Sequence, residues 1–282
     1  MNLMRRLLRR PAPPIPEALW RDALEAMPFL DRLNADEGER LRVLCAEFLA
    51  RHRVGGAAGF EMTDAIATRI AAQACLPVLN LTLALYDDLA GVIVYPSAFL
   101  VRHSEIDEAG VVHEWDAEMA GEALDAGGAI ALSWEDAHAD TICDDGGNLV
   151  LHEFVHKIDM RDGNANGCPP FLAAFHRGLD AREWKDAFSA AYADFCGRVD
   201  ALEARLPRRF DPDRDDHADL YAELAGALPL DPYAAEHPAE FFAVASEAFF
   251  CWPEPLATAY PRVYTLLAAY FRQETLSSAQ AS

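Results

Sequence analysis

Apolar positions recur at three- and four-residue intervals through residues 17–53. Leu41, Leu44, Cys45, Phe48 and Leu49 fall on one stripe, which predicts helices there. Gly55, Gly56 and Gly59 break the pattern. Thr63 can cap a second helical stretch that runs to about Leu85, interrupted near Pro77. From Gly91 the period shortens. Residues 92–95 form a β-branched run stopped by Pro96, residues 111–115 a second run and residues 129–134 a third, so three strands are expected. Short connections predict a mixed or antiparallel sheet. Asp144-Asp145-Gly146-Gly147 reads as a turn, after which Asn148 or Asp145 can cap a helix reaching Ile158. Further helices are predicted over about 181–206, 218–228, 238–250 and 261–274, with loops at 163–170, 207–217 and 229–238. Pro238 suits a first helical turn, and Pro253 and Pro255 end that helix. The class is α+β, mostly helical, with a small sheet beside the helix that follows it.

Composition adds exclusions. The 282 residues are 52% hydrophobic, with a formal net charge of −22 and a pI near 4.6. Nucleic acid is a poor partner for such a chain, because phosphate binding needs clustered Lys and Arg. Arginines interrupt the apolar residues of the N-terminus, so it does not read as a signal peptide. No run reaches the ~18 apolar residues of a membrane span, and no stable membrane insertion is expected. The six cysteines share no C-x-x-C spacing and are expected as reduced, mostly buried thiols in a cytoplasmic protein.

The chemistry concentrates at His152-Glu153-Phe154-Val155-His156. Residues four apart share a helix face, so both imidazoles can reach one ion, and zinc is the usual occupant of this arrangement. Glu153, one position round the helix, can reach water beside the metal, as a general base must. The apolar residues around the motif predict burial, and buried imidazoles need partners. Two residues could supply the third ligand. Asp162 follows His156 by six, in a motif where Asp159 stands at the position usually held by glycine. Glu240 lies in a strongly apolar helix and shares its face with Glu247, seven residues on. Glu240 is the favoured ligand, with Asp162 as the alternative. Glu247 and Asp159 are candidates to hold a histidine from behind.

Beyond these residues the chain resembles the Mlc titration factor A family of bacterial zinc peptidases. The resemblance rests on Gly59-Phe60-Glu61, Leu76-Pro77-Val78-Leu79, Val92-Ile93-Val94-Tyr95-Pro96, residues 148–159 and residues 231–250, in the expected order over most of 40–265. It implies His152, His156 and Glu240 as ligands of one zinc ion, Glu153 as catalytic acid and base, and Tyr233 as a donor to the oxyanion. It also implies a gluzincin-like core, similar to that of anthrax lethal factor, with aminopeptidase-like activity on peptides. Binding to the glucose repressor Mlc, and so a role in sugar-uptake regulation, is implied as well. The expected organisation is a disordered basic tail over 1–16 and one metallopeptidase domain over 17–275. That domain has a helical subregion (17–88) and a catalytic core (89–275), and 276–282 form a frayed end. The rival reading is a non-catalytic protein that sequesters a transcription factor around structural zinc. Structural zinc sites are normally closed by four protein ligands, which separates the two.

Overall fold

Most of the longer helices begin where the sequence supplies a cap. The computed structural model describes residues 12–106, 112–119, 121–123, 128–141, 143 and 146–276, with side chains outside 99–123. The element order is α1 (Glu17–Glu25), α2 (Ala35–Arg51), β1 (Val54–Gly56), α3 (Asp64–Cys75), β2 (Val92–Tyr95), β3 (Phe99–Ile106), β4 (Val112–Met119), β5 (Gly121–Ala123), β6 (Ile130–Ser133), α4 (Trp134–Ala139), α5 (Leu149–Asp159), α6 (Ala181–Glu203), α7 (Asp215–Ala225), α8 (Pro238–Cys251), α9 (Pro253–Ala259) and α10 (Pro261–Phe271). Asn34 and Glu37 form a reciprocal capping box on α2, and Thr63 caps α3 through the Ile66 amide. Asp180 caps α6, and the His237 side chain accepts from the Ala239 amide at the start of α8.

The main sheet has the order β1-β2-β6-β5. β1, β2 and β6 run parallel, in the registers Val54↔Val92 and Val92↔Ile130, and only the short edge strand β5 runs antiparallel, to β6. Of the expected mixed or antiparallel sheet, the antiparallel alternative is therefore overturned for the three parallel strands, and β5 makes the sheet mixed. The reason is connectivity: α3 and its flanks cross over between β1 and β2, and a long excursion separates β2 from β6, which parallel pairing requires. The strand expected at 111–115 belongs instead to β4, which pairs with β3 in a separate two-stranded antiparallel sheet. The glycines at 55 and 56, expected as a break, form β1. A Cβ on Gly56 would lie 2.1 Å from the Phe60 carbonyl oxygen, so the chain there needs glycine for close approach rather than for disorder. β6 is buried along its whole length, as an interior strand between two neighbours should be.

Two further boundaries differ from expectation. Trp134 opens α4 rather than closing a strand, with the Ser133 hydroxyl accepting from the Asp136 amide. Pro253 does end α8, but it also occupies the first turn of α9.

α5 and α8 pack on each other inside the core, and α5 also meets α3, β5 and β6. Phe154 is fully buried behind α5, edge-on to Phe48 and Tyr86 with centroids 5.6 and 5.1 Å away. From Phe241 to Phe250 every residue of α8 is buried. Its C-terminal end is held by Arg32, whose guanidinium donates to the Phe250 carbonyl at 2.5 Å and lies over the Phe250 ring. Of the expected N-terminal tail, residues 1–11 fall outside the described residues. Ile15, however, is buried, and its carbonyl accepts two bonds from Arg42. At the other end, 277–282 also fall outside. All six cysteines are free, three of them buried. No helix among the described residues is long and apolar enough to cross a membrane.

Candidate metal centre

The site starts with how α5 is pinned. At its N-terminus the Asn148 side chain accepts from the Leu151 amide at 2.9 Å, and the Asp140 carboxylate accepts from the Leu149 amide at 3.1 Å. Glu247, from α8, accepts from the Asn148 amide at 2.6 Å. Three orphan donors of the first turn are thereby satisfied, two of them by carboxylates that also suit the positive end of the helix. Asn148 in turn donates to the buried Gln73 on α3 at 2.8 Å. At the C-terminus Asp159 is fully buried and accepts from the Asn166 and Gly167 amides at 2.7 Å each. Gly167 has φ +77°, and a Cβ there would lie 2.5 Å from the Pro238 carbonyl oxygen, so this turn tolerates only glycine. The latch ties the end of α5 to the start of α8.

Between these two anchorages three ligand-type atoms converge. His152 Nε2 and His156 Nε2 lie 3.0 Å apart, and each is 3.1 Å from the same oxygen, Glu240 Oε2. Among the described residues this is the His/Cys/Asp/Glu group able to hold a metal ion. On its other side His152 presents Nδ1 to Glu247 Oε1 at 2.6 Å. A carboxylate only accepts, so that contact keeps a proton on Nδ1, and a neutral His152 ring turns its lone pair toward the other two atoms. Two imidazole nitrogens and a carboxylate oxygen at such separations repel one another unless positive charge lies between them. Burial works against an imidazolium at His152. The Glu247 charge and the hydrogen bonds with Glu240 and Glu247 outweigh it and hold the ring well above its usual value. Burial likewise pushes the Glu240 carboxyl up, yet the bonds with His152 and His156 hold it well below the usual carboxylate range. Both shifts come from the same close contacts between imidazoles and carboxylates. The donor set and spacing fit zinc, whose bonds of about 2.0–2.2 Å give ligand–ligand edges of roughly 3.3 Å in a tetrahedral site.

Glu153 is buried on α5 next to His152, and burial pushes its carboxyl up to about 7 against the pull of the two imidazoles. Tyr233 sits on the 3-10 turn Pro232–Ala235, whose start is fixed by the Asp231 carboxylate. Its ring centroid lies 5.9 Å from that of His152. Burial, followed by the nearby carboxylates of Glu240 and Glu153, pushes its hydroxyl up to about 12, so it stays protonated at neutral pH. Of the expected residues, His152, His156, Glu240, Glu247, Glu153 and Tyr233 are thus brought together. Asp159 is committed to the 166–167 turn, and Asp162 is exposed on Met160–Asp162, outside the convergent group. Sequence reasoning passed over Gln73 and Asp140. A glutamine inside the apolar run Ile70-Ala71-Ala72-Gln73-Ala74-Cys75 was the available signal. A cleft of about 1070 Å³ opens onto His152, Glu153 and Tyr233.

The three donors form a candidate metal-binding group beside a cleft that His152 lines. The chain is 34% identical over 264 residues to Mlc titration factor A of Serratia proteamaculans, covering 93% of this chain and 90% of that protein. It is 34% identical over 255 residues to Mlc titration factor A of Salmonella typhi, covering 90% and 86%. It is 33% identical over 273 residues to an uncharacterised protein of Synechocystis, covering 96% and 88%. A family profile described as glucose-regulated metallo-peptidase M90 matches residues 2–272. A match along nearly the whole chain, at this identity, means that the chain belongs to the glucose-regulated metallo-peptidase M90 family.

Proposed function

We propose that this chain is a zinc-dependent peptidase with a gluzincin-like centre, in which His152, His156 and Glu240 hold one zinc ion and Glu153 carries the proton. The observation behind this reading is the convergence of His152 Nε2, His156 Nε2 and Glu240 Oε2 within 3.1 Å beside a buried carboxyl. A group of three protein donors, with His152 lining a cleft, favours a catalytic over a structural metal, since structural zinc is normally closed by four. Bound zinc supplies a Lewis acid that polarises a peptide carbonyl and makes water acidic enough to react near neutral pH.

The remaining work falls to the chain. Glu153 takes a proton from the attacking water and returns it to the leaving amine, a task suited to a buried carboxyl beside His152 that lines the cleft. The protonated Tyr233 hydroxyl donates to the oxygen on which negative charge develops. Glu247 holds Nδ1 of His152 and so aims Nε2. The finer parts of the reading are aminopeptidase-like action and a cytoplasmic location, which six free cysteines suit. The relatives' name, Mlc titration factor A, supports a second role in binding an Mlc-like repressor. Co-purification of such a repressor with the Glu153→Gln protein, against none, decides that role apart from hydrolysis.

The test of the peptidase reading is zinc content together with cleavage of a peptide library. Wild type is expected to hold one zinc per chain and to cleave. Glu153→Gln should keep zinc and lose cleavage, Glu240→Gln should lose zinc, and Asp162→Asn should keep it. Zinc lost from Asp162→Asn but kept by Glu240→Gln would move the third ligand to Asp162. Cleavage by Glu153→Gln would remove Glu153 from the proton transfer.

A further inference from the structure

We propose that the cleft takes an extended peptide of about five residues and seats a bulky apolar side chain of that peptide against Trp252, well away from the metal-binding group; this rests on the peptidase reading. The cleft does not stop at the metal centre. From His152, Glu153 and Tyr233 it continues past Trp252 to Thr258 on α9. Its volume of about 1070 Å³ lies just above the range of about 300–1,000 Å³ usual for small-molecule pockets. One wall follows α8 along Val244, Ala248 and Trp252, which are spaced four apart and so form a stripe. From Glu240 to Trp252 is twelve positions, roughly 18 Å along a helix rising ~1.5 Å per residue. An extended strand advances ~3.4 Å per residue, so about five residues cover that distance.

Trp252 is built as a docking surface. Its backbone is fixed twice, because it caps the end of α8, donating its amide to the Ala248 carbonyl, and starts α9 just before Pro253. Yet the residue is 49% exposed. Large exposed hydrophobics among the described residues are Val43, Tyr221, Tyr233 and Trp252, and two of these four line this one cleft. A half-exposed indole on a fixed backbone is a characteristic anchor for a binding partner. The charge of the lining narrows the choice. Asp140, Asp231 and Glu254 contribute carboxylates, whereas the cation Arg198 is already paired with Asp194 at 2.7 Å. Neutral or basic peptides are favoured over acidic ones.

The test uses the full-length Glu153→Gln protein loaded with zinc, titrated calorimetrically with synthetic peptides of two to eight residues. A single Phe or Gly is moved along each peptide. Affinity is expected to rise about tenfold or more as length passes five residues, and only when Phe occupies one distal position, an effect typical of a buried aromatic anchor. Trp252→Ala should abolish this rise without changing dipeptide binding, and Trp252→Phe, which keeps an apolar ring on the rim, should preserve it. Replacing flanking Ser by Glu should weaken binding, and replacing it by Lys should not. Dipeptides binding as tightly as hexapeptides, or a length dependence that survives Trp252→Ala, would overturn the proposal. Length- and Trp252-dependent binding with no cleavage by wild type would uphold this cleft and sink the peptidase reading. Cleavage without any dependence on Trp252 would do the reverse.

Discussion

Phe154 and Trp252 are large apolar side chains on or beside the two helices that carry the candidate metal-binding group, and their surroundings are opposite. Phe154 is sealed behind α5 between Phe48 and Tyr86, while Trp252, at the end of α8, stands half exposed on the cleft rim. The same division runs through the polar residues. Glu247, Asn148 and Asp159 are buried and fixed by hydrogen bonds, whereas Tyr233 is 49% exposed on a short turn. The helices that carry the candidate ligands are thus held from behind by packing, and the two exposed aromatics of the cleft are presented on a turn and at a helix end. Changes to the first set should cost stability, and changes to the second should cost activity at unchanged stability.

The largest effect expected is from Phe154→Ala, about 3–5 kcal/mol of unfolding free energy, the usual loss for a buried phenylalanine that leaves a cavity. Urea denaturation of the zinc-free protein measures it without the contribution of bound metal. A loss below about 1 kcal/mol would mean that the packing behind α5 does not brace the helix, and the comparison would break at its stronger end.

Tyr233→Phe tests the opposite side. It should lower kcat/KM about 10²-fold, equivalent to about 2.7 kcal/mol, if the hydroxyl donates to a developing oxyanion. The melting temperature and zinc content should stay as in wild type. A drop in melting temperature with unchanged turnover would place Tyr233 with the scaffold instead.

The two regions were unequally legible in the sequence. The histidine pair was readable because helical spacing alone puts residues four apart on one face. Glu240 and Glu247 were readable because a carboxylate in an otherwise apolar helix needs a partner, and Glu247 has two, the His152 ring and the Asn148 amide. Strand direction was not readable. β1 is three residues, two of them glycine, and its parallel pairing depends on a crossover that local periodicity does not record. The rim was hidden for a different reason. Trp252 lies just before the helix-terminating Pro253, and nothing in the local pattern distinguishes an exposed indole from a buried one. Asp159 is expected from the sequence as a candidate to hold a histidine from behind. The amides of Asn166 and Gly167 take its Oδ2 instead.

That latch gives a prediction of intermediate size. Asp159→Ala strands two backbone donors and should cost about 2 kcal/mol. Hydrogen exchange at the Asn166 and Gly167 amides should quicken well beyond the global change. Uniform quickening would mean that the carboxylate stabilises the whole fold rather than this turn.

The smallest effect separates the two jobs of Asn148. Its Oδ1 caps α5 through the Leu151 amide, and its Nδ2 donates to Gln73. Asn148→Ala removes both and should cost about 1–2 kcal/mol, the upper part of the usual range for a lost cap. Asn148→Ser keeps an acceptor oxygen at the cap but cannot reach Gln73, so it should recover most of the loss if capping dominates. The backbone amide of residue 148 still donates to Glu247 in both variants, so the hold on His152 Nδ1 should persist and zinc affinity should change less than stability. Should Ser prove no better than Ala, the tie between α3 and α5 would be the stabilising element. If zinc affinity instead fell tenfold or more in both, the start of α5 would belong to the metal centre itself, and the line between scaffold and site would have to be drawn one turn closer to solvent.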